Sequence, residues 1–214
     1  MSLVMVFRNF PVLLFSNQNL SIMRPLLNSM AGLFLLVCTL SLQAQNMSEQ
    51  QQKAYMNYMT PSSVHQWMAK GVGDWKVETK MWWDENAKEP MLSTGNCTNS
   101  MILGGRYLQS RHTSEIMGMP FEGIATTAYD NGKKVFISSW IDNMGTGMSQ
   151  IEGTLDEKTQ TITMKGTAFD PITGKDCTVR EVQKFVDDNT MVMEYFVNKG
   201  GKEYKSMELK LTRK

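Results

Sequence analysis

FEGIATTAYDNGKKVFISSWID, residues 121–142, holds two runs of β-forming side chains around one turn signal. Before the turn come Ile124, Thr126, Thr127 and Tyr129; after it come Val135, Phe136, Ile137 and Trp140. β-Branched and aromatic residues suit a pleated, half-buried surface. In the second run Val135, Ile137, Ser139 and Ile141 alternate with Phe136, Ser138, Trp140 and Asp142, the period of two that a strand requires. Asn131-Gly132 is a two-residue hairpin signal, because a type I′ turn needs positive φ at both central positions. The segment predicts an antiparallel hairpin of Phe121–Asp130 with Lys133–Asp142.

The same pattern runs from Asp74 to the C-terminus. The predicted strands are Asp74–Trp83, Met91–Ile102, Arg106–Glu115, Phe121–Asp130, Lys133–Asp142, Gly145–Leu155, Thr161–Asp170, Asp176–Asp187, Thr190–Lys199 and Lys202–Arg213. Gly104-Gly105 and Gly200-Gly201 serve as further hairpin turns, and Pro171–Gly174 and Asp187–Asn189 as longer ones. No connection has room for a crossover helix, so sequential strands should pair as an antiparallel meander. An open sheet of this size would expose two edges, and closure removes them. The expectation is all-β: an up-and-down barrel of eight to ten strands over residues 63–214. A short helix, Ser63–Lys70, plugs or flanks it.

The N-terminus reads differently. Residues 1–45 contain Arg8 and Arg24 but no acid, and Met30–Leu42 (MAGLFLLVCTLSL) is apolar and uncharged. That run is shorter than the roughly 20 residues a bilayer span needs. A basic start, a short apolar core and a small residue, Ala44, describe a secretory signal peptide over 1–44. Met23 lies just before Arg24 and would open a shorter signal of ordinary form, which makes residues 1–22 either a misassigned start or an unusual extension. The expectation is export to the periplasm or the exterior, with residues 45–62 as a flexible or partly helical lead. Setting Arg8 and Arg24 aside leaves 20 basic residues of the 22 against 21 acidic ones, so the formal charge moves from +1 to −1. No basic patch points to nucleic acid. No second apolar run of spanning length follows, so the mature chain is expected to be soluble, with no transmembrane segment.

Chemistry-bearing motifs are scarce. His65 and His112 are the only histidines and fall in different elements, so no zinc or other metal site is expected. No nucleophile elbow, phosphate loop or dinucleotide fingerprint occurs, and no cofactor is expected. After export, Cys97 and Cys177 are the two remaining cysteines, and one disulfide between them is possible in an oxidising compartment. The alternative is two small buried side chains.

MILGGRYLQSRH (101–112), GMPFEGIATTAYDNGKKVF (118–136), WIDNMGTGM (140–148), IEGTLDEKTQTIT (151–163) and GGKEYKSMELKLTRK (200–214) resemble an exported bacterial family, domain of unknown function 1579. The resemblance implies a calycin-like β barrel and no particular activity. Gly73-Asp74-Trp75, opening the first strand, is similar to the Gly-x-Trp motif of lipocalins. There the Trp closes one barrel end against an Arg from a late strand, a place that falls to Arg213.

The expected function is non-covalent binding of a small apolar ligand in a barrel cavity. The candidate polar anchors are Arg106, His112, Glu122 and Glu152. The candidate apolar lining is Trp75, Tyr107, Trp140 and Met193. Phe121-Glu122-Gly123 and Ile151-Glu152-Gly153 each set a glycine beside an acid, allowing close backbone approach. Two alternatives stand beside the binding barrel. One is an enzyme using Glu122, Asp142 or Glu152 as acid and base. The other is an interaction protein with a filled barrel and an apolar patch near Trp82 and Trp83.

Overall fold

The computed structural model describes residues 47–214. The proposed signal segment therefore lies outside the described residues. Contacts divide the chain after Ala54, and the barrel lies wholly in the unit Tyr55–Lys214. Glu49–Met59 is an α-helix (α1) with no buried side chain. Ser63–Ala69 is a second one (α2). Among the described residues, no helix is long and apolar enough to cross a membrane.

Ten antiparallel strands follow: β1 (Gly73–Met81), β2 (Met91–Ile102), β3 (Tyr107–Ile116), β4 (Met119–Asp130), β5 (Val135–Asp142), β6 (Ser149–Asp156), β7 (Thr161–Asp170), β8 (Lys175–Asp187), β9 (Thr190–Lys199) and β10 (Lys202–Arg213). Each pairs with its sequence neighbours, and β1 pairs with β10 to close the barrel. Closure runs over seven residue pairs from Trp75↔Arg213 to Met81↔Met207. No backbone edge is left for a second chain to extend.

The turns decide where one strand hands over to the next. Gly200-Gly201 is the expected two-residue turn, with φ of 61° and 88° between Lys199 and Lys202. Met117-Gly118 is another, with φ of 54° and 78°. Asn131-Gly132 is not. Its loop spans four residues between Asp130 and Val135, and the positive φ falls on Lys134 at 61°. The reason is Asp130, whose Oδ1 accepts the N–H groups of Gly132 (2.7 Å) and Lys133 (3.0 Å). Asp156 does the same for Lys158 and Thr159, and Gln160 takes the positive φ. Asp170 accepts the N–H of Ile172, and Gly174 takes the positive φ. A carboxylate that caps its own turn competes with the tight two-residue geometry. Asn131 serves elsewhere: its Nδ2 donates to the carbonyls of Tyr58 and Thr60.

One barrel end is sealed. Met68 of α2 is buried in a cluster with Phe136, Ile151, Ile162, Met164 and Val179. Trp67 meets Phe136 and Phe185 edge-on, and its Nε1–H donates to Gln160 Oε1 at 2.6 Å. Each such large side chain, once buried, contributes about 1.5–3 kcal/mol. His65 fixes the start of α2, its Nδ1 accepting the Ser62 N–H at 3.0 Å. Burial, then the Arg106 charge, lowers its pKa, which favours the neutral ring this contact needs. Beside the helix, Trp75 is fully buried and donates to the Gly71 carbonyl. Arg213 lies 4.2 Å over its ring and donates to the carbonyls of Lys70, Val72 and Asp188.

Candidate functional site

Register fixes which side chains face inward. The pairs Cys97↔His112, His112↔Gly123 and Gly123↔Asp142 carry one interior row across β2–β5. On the far side Met164↔Glu181 and Glu181↔Tyr195 carry another across β7–β9. The two rows bound a cavity of about 530 Å³. Its walls are largely apolar, with Val77, Ile151, Met191, Met193, Leu209 and Leu211 among them. Met81, Trp83, Ile116, Phe121 and Met144 also line it, towards the end opposite α2. Trp83 and Met144 remain largely exposed. The interior is therefore not filled by its own side chains.

Polar groups punctuate this lining. His112 sits edge-on to Trp140 at 5.5 Å, with Nε2 3.4 Å from Cys97 Sγ. Burial lowers its pKa to about 4, so the ring is neutral near pH 7. Trp140 stacks with Phe121 and donates from Nε1 to Asp142 Oδ2 at 2.7 Å. The other Asp142 oxygen accepts the N–H groups of Met144 and Gly145. Asp142 is thus occupied in holding the indole and the loop at the mouth.

Glu181 differs. It faces the cavity from the middle of β8, and its remaining accessible surface is cavity surface rather than bulk water. Its Oε1 accepts Gln183 Nε2 at 2.8 Å. Among the described residues it has no ion-pair partner. Burial pushes its pKa up to about 7. Tyr195, beside it on β9, is pushed upward by burial and then by the Glu181 charge.

His112, Trp140 and Met193 line the cavity. The other candidates lie elsewhere. Arg106 donates to the carbonyls of Met59, Leu103 and Gly104 outside the barrel. Glu122 is on the outer face of β4, paired with Arg111. Glu152 is exposed on the outer face of β6, opposite Lys165. Trp75 plugs the sealed end, and Tyr107 points away from the cavity, out of phase with Leu108. Cys97 and Cys177 are free thiols rather than a disulfide. They sit on β2 and β8, with β1, β10 and β9 between. Cys97 donates to Asn99 Oδ1 at 3.0 Å, and burial, then Asp74, pushes its pKa to about 12, so it is a poor nucleophile. Among the described residues no group of three or more His, Cys, Asp or Glu side chains is placed to hold a metal ion.

Sequence reasoning missed Glu181, Gln183 and Tyr195. Their signal was present: Cys177, Val179, Glu181, Gln183 and Phe185 alternate along one face, an acid within an apolar series. Its neighbour Arg180 points outward, to Glu203.

Inward-facing residues of the meander and the sealed end both fall inside one matched segment. A family model described as "Protein of unknown function (DUF1579)" matches residues 60–213. The chain belongs to this family. The family segment takes in α2, every strand and all the lining residues named above. No curated protein matches the chain. Among solved structures, one described as a redesigned beta barrel matches at 13% identity, covering 68% of this chain and 93% of that one, with a TM-score of 0.36.

Proposed function

We propose that this protein binds a small, largely apolar molecule non-covalently inside its barrel, after export directed by residues 1–44. The observation that carries the reading is the cavity of about 530 Å³, whose exposed lining surface is mostly apolar, with Ser, Thr and Asn side chains beside His112, Asp142, Glu181 and Gln183. That volume lies within the roughly 300–1,000 Å³ of small-molecule sites, and the lining has their character. A ligand there gains from the removal of apolar surface on both partners. His112, neutral at physiological pH, offers one hydrogen-bond position, and Glu181 and Tyr195 offer others across the cavity.

Ala125 provides the test. It lines the cavity and is paired with Ser110 and Trp140, so a phenyl ring at this position enters the ligand space. Titration with the neutral fluorophore N-phenylnaphthylamine should show saturable binding to the wild type. Ala125→Phe should weaken it about tenfold or more while leaving the circular-dichroism spectrum of the barrel in place. Equal binding by both proteins would move the probe outside the cavity and remove the support for this reading.

A further inference from the structure

Resting on the cavity being a ligand site, the geometry points to the class of ligand: we propose a small apolar molecule bearing a protonated amine, its ammonium group paired with Glu181. Four observations converge. No Lys or Arg lines the cavity, whereas two carboxylates, Glu181 and Asp142, do. Asp142 is consumed by Trp140, Met144 and Gly145. Glu181 has only the Gln183 amide on Oε1, and among the described residues its Oε2 has no partner. The aromatic side chains of Trp140, Phe121 and Tyr195 line the same space.

A buried carboxylate without a cation is costly, and an ionised partner with hydrogen bonds removes that cost. An ammonium group brings the charge and up to three N–H donors. Aromatic faces attract the same group through their quadrupoles. A ligand carboxylate would find no cation in the lining and would face Glu181 directly. A ligand alcohol would satisfy one oxygen and leave the charge alone.

The groups facing Glu181 are few. Gln183 shares its strand, Tyr195 faces it from β9, and Met164 faces it from β7. Across the cavity stand neutral His112 and the committed Asp142. Burial raises the Glu181 pKa to about 7, so the bare carboxylate is fully available only above neutrality.

Displacement of N-phenylnaphthylamine from the full-length protein by decylamine, decanol and decanoate, below their aggregation limits, separates the classes. At pH 8 decylamine should compete about tenfold better than decanol, with decanoate weakest. In Glu181→Gln the amine should fall to the level of the alcohol or below it, since its charge then has no partner. In the wild type at pH 5, where Glu181 takes its proton and His112 remains neutral, the same fall should appear. Decanol or decanoate equalling the amine at pH 8, or an amine preference that survives both the substitution and pH 5, would overturn the assignment. Should the probe and all three competitors fail to bind, the cavity reading itself fails and takes this one with it.

Discussion

Glu181 and His112 lie on strands five apart in a ten-strand ring, and burial moves their pKa values in opposite directions. Glu181 rises from 4.5 to about 7. Between these values the folded state holds more protons than the unfolded one, so stability falls as pH rises through the interval. His112 drops from 6.5 to about 4. There the unfolded state holds more protons, and stability rises with pH from about 4 to 6.5. The two slopes oppose each other where they overlap, so the ligand-free protein should show a nearly flat contribution from this pair at pH 5–6.5. Glu181→Gln removes the falling limb. Relative to wild type it should gain on the order of 3 kcal/mol at pH 8 and almost nothing at pH 4. Urea denaturation at the two pH values measures this, and an equal gain at both would contradict the buried, uncompensated acid.

At the scale of the element, glycine positions decide how strands meet. A Cβ on Gly153 would lie 1.8 Å from the Thr163 carbonyl oxygen and 2.6 Å from Met164 Cα, which are backbone atoms of the paired strand. A Cβ on Gly123 would lie 2.4 Å from the Trp140 indole, a side chain with some room to move towards the cavity. Gly123→Ala should therefore cost about 1–3 kcal/mol and shift tryptophan emission, whereas Gly153→Ala should cost more by disturbing β6–β7 pairing. Thermal denaturation of both variants checks the ordering, and a milder Gly153→Ala would contradict it. The close approach at both glycines was legible in the sequence. The strands were legible too: β2, β7, β9 and β10 match their expected bounds, because alternation and turn residues act locally. Which alternating set faces inward was not legible for acids. Glu122 and Glu152 look like Glu181 in a one-dimensional pattern, and only cross-strand register separates outer from inner. The Asn131-Gly132 turn was misread for a related reason, since the Asp130 carboxylate one residue earlier sets the loop.

At the scale of the molecule, closure and an open interior have to coexist. Arg213 fastens the last strand to the sealed end by bonding three carbonyls and covering Trp75. Arg213→Ala should lower stability by about 2 kcal/mol or more, and Arg213→Lys should recover little of it, since an ammonium has neither the planar fork nor the stacking face. Guanidinium denaturation midpoints of the two variants give the comparison, and full recovery by Lys would contradict the role assigned to the fork. Because the end near α2 is sealed by Trp67, Met68 and Trp75, the cavity is reached from the end marked by Trp83 and Met144. The most direct measurement of the central claim is native mass spectrometry of the protein purified without detergent. A discrete extra mass that disappears on denaturation, or one-to-one uptake of added decylamine, is the expected result. A bare mass that takes up neither decylamine nor the neutral fluorophore would contradict a ligand-binding barrel.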